Sequence, residues 1–138
     1  MIDDPDNGGS HAGAWKAHMD KMPKQSERDI QRAIRGWLAG QGILSWAVPN
    51  GAHVAGGRME RIRKVAAMKA DGLMPGAPDL VLINKKGAVG FLEVKTPTGR
   101  VSNDQKHLHR VLRDRGALCE IVRSIDETKE VLRAWRWL

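Results

Sequence analysis

The sequence predicts an α/β fold in which a mixed sheet of about four strands is flanked by helices. Apolar residues recur with helical spacing in three segments, a fourth predicted helix is basic, and short apolar runs lie between the helices. Two of these runs are joined by a tight turn, which indicates a hairpin. The chain has 138 residues, enough for one compact domain and too few for two. We predict a flexible tail for residues 1–25, with a short helical turn at about Trp15–Met22, and a single folded domain for residues 26–138.

The domain begins with a helix and a strand. Ser26 is suited to cap the first helix, and Gly40 and Gly42 end it. The residues of its apolar face follow the i, i+3, i+4, i+7, i+8 pattern and are Ile30, Ala33, Ile34, Trp37 and Leu38. Residues Ile43–Val48 follow as a short strand.

A basic helix is predicted from Met59 to Ala70, after the glycine-rich loop Pro49–Gly57. Its cations, with the arginine just ahead of it, are Arg58, Arg61, Arg63, Lys64 and Lys69. They could follow a phosphate backbone, or they could form an ordinary solvated helix face. Both interpretations stay open at this point.

The second half of the domain contains three strands and two helices. The hairpin strands are Asp79–Ile83 and Ala88–Lys95. Ser102 opens a helix that stops near Gly116, and Ala117–Val122 is the fourth strand. Ser124 caps a final helix, whose apolar stripe contains Val131, Leu132, Trp135 and Leu138.

The hairpin turn sets the register of two acidic residues. A three-residue loop, Lys85–Gly87, with glycine in the left-handed position, places Asp79 opposite Glu93. Strand alternation then keeps Lys95 on the same face. A two-residue loop would instead pair Asp79 with Leu92, so this step depends on the turn.

Two opposed carboxylates in a buried sheet need a cation or a shared proton. Both faces of the hairpin are apolar, so we expect it to be largely buried. Mg²⁺ or Mn²⁺ would suit Asp79, Glu93 and the Val94 carbonyl, with waters completing the shell. Lys95 could then position or deprotonate an attacking water, or hold the scissile phosphate. The alternative is a turn aspartate beside a solvated edge pair.

Composition narrows the class of protein. Lysine and arginine number 23 against 16 aspartates and glutamates, a net charge of +7 that favours a polyanionic partner. The single cysteine, Cys119, excludes a disulfide framework and a cysteine-cluster zinc site. The acidic N-terminus and the lack of a long apolar run lead us to expect a cytoplasmic protein.

Gly76-Ala77-Pro78-Asp79-Leu80-Val81-Leu82 and Phe91-Leu92-Glu93-Val94-Lys95 resemble the PD-(D/E)xK nuclease superfamily. The stretch Lys95–Ser102, with Gln105 and Val122-Arg123-Ser124, is similar to its VRR-NUC branch, and the resemblance covers about Ser26 to Glu127. It implies a restriction-endonuclease-like core and hydrolysis of DNA phosphodiesters with Mg²⁺ or Mn²⁺. It makes Asp79 and Glu93 metal ligands and Lys95 the catalytic lysine, and Glu27 completes the site through a water.

Three residues each allow more than one interpretation. Glu27 is either this site acid or a first-turn carboxylate favoured by the helix dipole. Gln105 closes a capping box with Ser102, while the resemblance places it near the active site, and both can hold. Arg123 contacts phosphate or a carboxylate, or is a plain surface arginine. The catalytic prediction is thus Glu27, Asp79, Glu93, Lys95 and Gln105. The DNA-binding prediction is Arg58, Arg61, Lys64, Arg100 and Arg123.

The resemblance also suggests what the enzyme acts on. Compact members of this branch cut branched DNA as dimers, so we expect a homodimeric, structure-specific endonuclease for branched DNA or Holliday junctions, in a bacterial or phage-infected cell. The alternative is a non-catalytic DNA-binding or assembly module with a nuclease-like fold. A sequence-specific endonuclease is disfavoured because the chain has little length for a recognition domain. The histidines His11, His53, His107 and His109 are assigned no role.

Overall fold

The computed structural model describes residues 13–14, 16–18, 23–50 and 54–138. Within 23–138 the secondary-structure elements, in chain order, are α1 (Glu27–Gly40), β1 (Leu44–Ala47), α2 (Arg58–Ala70), β2 (Leu80–Ile83), β3 (Val89–Val94), α3 (Asn103–Asp114), β4 (Leu118–Val122) and α4 (Ile125–Ala134). All eight elements predicted from the sequence are present, in the predicted order. Most of the predicted N-terminal tail lies outside the described residues, although residues 16–18 are helical.

The four strands form one mixed sheet in the order β1-β2-β3-β4. The first three strands are antiparallel neighbours, and β4 runs parallel to β3. A parallel neighbour requires a crossover, which α3 provides. The predicted α/β class is therefore confirmed.

Helix ends follow the capping chemistry of the sequence. The Ser26 hydroxyl accepts a hydrogen bond from the Asp29 N–H at 3.1 Å, and Asp29 closes the capping box. The Ser124 hydroxyl caps α4 through the Glu127 N–H at 3.1 Å. The predicted extension of this last helix to Leu138 is wrong. Arg136 adopts a left-handed φ of 59°, which ends the helix and leaves Leu138 exposed.

One face of the sheet carries the hydrophobic core. Helices α1 and α4 cover this face, and the buried residues between them and the strands are Ile30, Ile34, Leu38, Ile43, Leu80, Leu82, Leu92, Val94, Val122 and Leu132. The apolar stripe predicted for the first helix supplies three of them. Burial of this layer is the main favourable contribution to folding.

The other face is covered only in part, which corrects the prediction that the hairpin is largely buried on both faces. Helix α3 packs against β4. Over the rest of the sheet, Leu44 is 62% exposed and Trp46 43% exposed, and Val89 is also exposed. Hydrophobic periodicity shows which side chains share a face, but not which helix covers it. None of the helices in the described part of the chain combines the length and apolar character that a membrane span requires.

Gly90, the second residue of β3, is a packing constraint. A Cβ atom built at Gly90 would lie 2.5 Å from the Trp135 ring, which packs over the strand. We expect Gly90→Ala to lower the free energy of unfolding by about 1–3 kcal/mol, because the ring must move. Urea unfolding measures this. Gly36→Ala is the matched control, since a Cβ there meets nothing within 4 Å and alanine favours the helix. Equal stability of Gly90→Ala and wild type would contradict the packing argument.

Candidate active site

The hairpin register places two carboxylates across from each other. Leu80 pairs with Leu92, so one step outward sets Asp79 across from Glu93. Gly87 has a φ of +82°, the left-handed conformation predicted for the third residue of the turn. The three-residue loop predicted from the sequence is therefore confirmed, and the two-residue alternative is excluded.

Asp79 is fixed from both sides. Its backbone carbonyl accepts a hydrogen bond from the Val48 N–H at 2.8 Å. Its side-chain Oδ2 accepts one from the Val94 N–H, also at 2.8 Å. The carboxylate is thus held against the end of β3, next to Glu93.

Glu93 is a buried carboxyl group, with 2% of the residue exposed. Its Oε1 accepts a 2.6 Å hydrogen bond from Gln105 Nε2. Its Oε2 is buried and has no hydrogen-bond partner among the described residues. Burial, followed by the negative charge of Asp79, raises the pKa of Glu93 to about 8, and the Lys95 ammonium offsets part of this effect.

Lys95 lies between two acids. This buried lysine has its Nζ 3.5 Å from Glu93 Oε1 and 3.7 Å from Glu27 Oε1. Glu27 is the first residue of α1 and is half exposed. The start of the first helix therefore brings a third acid to the same site, as the resemblance implied.

Gln105 has both of the roles that the sequence left open. Its Oε1 accepts a hydrogen bond from the Ser102 N–H at 2.9 Å, which closes the capping box of α3. Its Nε2 donates to Glu93. A single amide thus ties the start of α3 to the buried carboxyl group.

Gly76 allows the loop before Asp79 to approach α3 closely. It has a φ of +82°, and a Cβ there would lie 2.4 Å from the backbone of Asp104 and 2.7 Å from the Gln105 nitrogen. A side chain has no space at this position. The glycine therefore lets the segment that carries Asp79 pack against the helix that carries Gln105.

The predicted DNA-binding residues belong to three separate segments of the chain. Three of them are exposed on α2, namely Arg58, Arg61 and Lys64. Lys64 pairs with Glu60 at 2.9 Å and also donates to the Ala55 carbonyl. Arg100 is exposed in the loop after β3. Arg123 is half-buried, and its Nη1 donates to the carbonyls of Thr96 and Gly99.

His109 is a buried residue that sequence reasoning did not select. It is 1% exposed, and neither ring nitrogen has a hydrogen-bond partner among the described residues. Burial, followed by the charge of Arg113, lowers the pKa of its imidazole. His109 lies one helical turn after Gln105, and this i, i+4 spacing indicates in the sequence that the two residues share a face of the helix. His107, two residues earlier, is exposed as its different helical face requires, and His53 lies outside the described residues.

The donor set suits a hard divalent cation. In the described part of the chain, no three His, Cys, Asp or Glu side chains converge as a metal site. The two carboxylates of Asp79 and Glu93 do adjoin, one oxygen of Glu93 lacks a partner, and the Val94 carbonyl follows directly in the strand. Oxygen donors of this kind fit Mg²⁺ or Mn²⁺ with water filling the remaining positions.

Comparison with known proteins identifies the family. Residues 25–126 match the VRR-NUC domain. The chain belongs to the VRR-NUC domain family. Two solved structures of VRR-NUC domain proteins share its fold, with TM-scores of 0.55 and 0.54 at 21% and 17% identity. The first match spans 78% of this chain and 94% of the solved chain. The second spans 85% of this chain and 91% of the solved chain. No curated protein sequence matches.

Membership of the VRR-NUC family assigns the chain a nuclease-like, DNA-processing function. It also confirms the family resemblance and the restriction-endonuclease-like fold inferred from the sequence. The two strand ends that carry Asp79, Glu93 and Lys95 lie within the matched residues.

The raised pKa of Glu93 predicts a pH-dependent stability without metal. Between pH 4.5 and about 8, folded Glu93 keeps a proton that the unfolded chain releases, so stability falls as pH rises through this window. Glu93→Gln removes this dependence. In EDTA we expect wild type to lose on the order of 4 kcal/mol of stability relative to the variant as the pH rises from 5 to 8.5, roughly 12–20 °C in Tm.

Thermal unfolding at several pH values measures this difference. Glu130→Gln, an exposed change on α4, is the control and should follow the wild-type profile. Parallel profiles for wild type and Glu93→Gln would show that Glu93 is not an acid with a raised pKa.

Proposed function

We propose that this VRR-NUC domain is a metal-dependent DNA endonuclease that hydrolyses phosphodiester bonds, with branched DNA or Holliday junctions as its substrate. One observation carries the proposal: a buried glutamate with an unpartnered oxygen lies beside a second carboxylate and a lysine. A carboxyl group is costly to bury, and a purely structural role would be filled at less cost by an apolar residue. The arrangement suits a group that must bind a cation.

Asp79, Glu93 and the Val94 carbonyl would hold Mg²⁺ or Mn²⁺, and Glu27 would contribute through a water. When bound, such an ion offsets the negative charge that develops on the phosphate oxygens and lowers the pKa of a water ligand. The proton on apo Glu93 would leave on metal binding, because the ion favours the carboxylate form.

The chain's own residues orient the reacting groups. The Gln105 Nε2 donates a hydrogen bond to Glu93 Oε1, which fixes the plane of the Glu93 carboxylate. Lys95 Nζ is held between Glu93 and Glu27, a position from which it can donate to the scissile phosphate or to the attacking water. Gly76 keeps the Asp79 loop against α3, so the acids stay together.

The positive charge of the chain supports a DNA substrate. The net charge is +7, and Arg58, Arg61, Lys64 and Arg100 are exposed cations that we assign to backbone phosphates. These contacts would position the duplex rather than read its sequence.

An uncovered apolar surface supports a homodimer. Trp46, Val81 and Phe91 lie in one row across the sheet, and Leu44, Ile83 and Val89 in the next row, on the face opposite the core. We call these six residues the apolar patch. A second copy of the chain would cover such a surface, and two domains together would grip two duplex arms that one domain of 15.3 kDa would not.

Cleavage assays test the nuclease. We expect wild-type protein to cut labelled four-way or flapped DNA with Mg²⁺ or Mn²⁺ and not in EDTA. Asp79→Asn and Lys95→Met should each lower the rate by about 10²–10³-fold or more, because the first weakens the proposed metal site and the second removes the ammonium that would act on the phosphate or the water. The DNA-binding affinity should change little.

Two controls match these variants. Lys85→Met lies at the far end of the same hairpin, and Glu130→Gln is exposed on α4; both should keep full activity. Cleavage that survives in EDTA, or in both active-site variants, would refute the mechanism. If wild type and all variants bind DNA but none cleaves it, the non-catalytic module is favoured. Equal cleavage rates on linear and branched DNA would refute only the junction substrate.

The dimer is tested at the apolar patch. We expect wild-type protein to have twice the 15.3 kDa mass of one chain in light scattering or sedimentation, and Trp46→Glu to be monomeric, because a charge in a buried apolar interface is strongly unfavourable. Leu138→Glu changes an equally exposed apolar residue outside the patch and should stay dimeric. A monomeric wild-type protein, or a dimeric Trp46→Glu, would overturn this interface.

A further inference from the structure

The segment after Lys95 forms a tight turn that one side chain closes. The Gly99 N–H donates to the Thr96 carbonyl at 3.0 Å, which defines the turn 96–99. Directly after β4, the Arg123 Nη1 donates to the same Thr96 carbonyl and to the Gly99 carbonyl, the latter at 2.9 Å. The first and last carbonyls of the turn are therefore held by one guanidinium nitrogen.

This turn connects two groups of the active site. Immediately before it, the Lys95 N–H donates at 3.0 Å to the carbonyl of Val122, the last residue of β4 and the neighbour of Arg123. Shortly after it, Ser102 caps α3, the helix that presents Gln105 to Glu93. A shift of the turn would displace the backbone of Lys95 and the start of α3 together.

Arg123 is itself well anchored. Its backbone N–H donates to Glu127 Oε2 at 2.7 Å, and its side chain is half-buried against the turn. Hydrogen bonds from a charged donor to carbonyls are stronger than neutral ones. Because the Arg123 Nη1 already donates to two internal carbonyls, Arg123 is less suited to contact a DNA backbone than Arg100, which is exposed in the loop after β3.

We propose that Arg123 is a positioning residue, which fixes the turn 96–99 and thereby holds Lys95 and Gln105 in register with Glu93. This role replaces the DNA contact predicted from the sequence. Its catalytic part rests on the proposed nuclease function.

Arg123→Met, which keeps the aliphatic stem, tests the proposal beside Arg100→Met as the matched control. We expect Arg123→Met to cleave about 10–100-fold more slowly at saturating DNA, with unchanged DNA affinity, because the reacting groups are displaced. The dependence of the logarithm of affinity on the logarithm of salt concentration should keep its slope. Arg100→Met should instead lose about 0.9 from the slope for one lost phosphate contact. Glu130→Gln, an exposed change on α4, should keep both the wild-type rate and the wild-type slope.

A structural readout separates this proposal from the proposed function. The amide of Gly99 should exchange with solvent at least about 10-fold faster in Arg123→Met than in wild type, since the turn opens more often. If wild-type protein cleaves no DNA, the nuclease proposal and the catalytic part of this one fall together, while Gly99 exchange still decides whether Arg123 holds the turn.

A second variant covers the case in which Arg123→Met does not fold. In Gly99→Ala the new Cβ would lie 3.0 Å from Thr96 Oγ1 and 3.2 Å from its nitrogen, which disturbs the same turn and leaves Arg123 in place. It should also slow cleavage without changing the salt slope, and the double variant should lose no more than the worse single one. A normal rate in Arg123→Met or Gly99→Ala, or a slope reduced in Arg123→Met, would overturn the proposal.

Discussion

A carboxyl group buried in the sheet layer is the constraint on which the site depends. Glu93 is enclosed beside Asp79, with one oxygen bonded by Gln105 and the other without a partner in the described residues. Burial and the neighbouring carboxylate both oppose its charged form, so the local structure must supply compensation. The ammonium of Lys95 and the amide of Gln105 supply part of it. Gln105 lies on α3, whereas Lys95 follows β3. The close contact of Gly76 with α3 holds the loop that carries Asp79 next to the helix that carries Gln105.

The site could be predicted from the sequence where its geometry is local. The separation of Asp79 and Glu93 along the hairpin, together with a glycine that accepts a left-handed φ, fixed their register without knowledge of the rest of the fold. The capping box of Gln105 could be read in the same way, because it involves residues three apart. Its place near the active site came only from the family resemblance, and its contact with Glu93 came only from the structure, since the two residues lie on different elements.

What could not be predicted depends on tertiary neighbours. The alternation of the hairpin showed two apolar faces, but only the packing of α3 against β4 shows that half of one face stays open around Trp46. His109 was an ordinary helix residue in the sequence, and its burial follows from the side of α3 that meets the sheet. Arg123 could be read as a surface arginine, because the carbonyls that it binds lie 24 and 27 residues away in the chain.

The apolar patch and the carboxylates share a face of the sheet, so the proposed dimer interface would lie close to the site. The row that contains Trp46, Val81 and Phe91 is two residues along the strands from Asp79 and Glu93, a separation of roughly 7 Å. In the proposed homodimer, a two-fold axis that lies in the interface and runs along the strands would bring the two copies of the site to the same end of the assembly. The distance between the two sites would then be set by the strand geometry rather than by flexible loops. A fixed spacing between paired sites would suit the branched substrate proposed for the dimer, because contacts with phosphates position a protein on DNA without reading its bases.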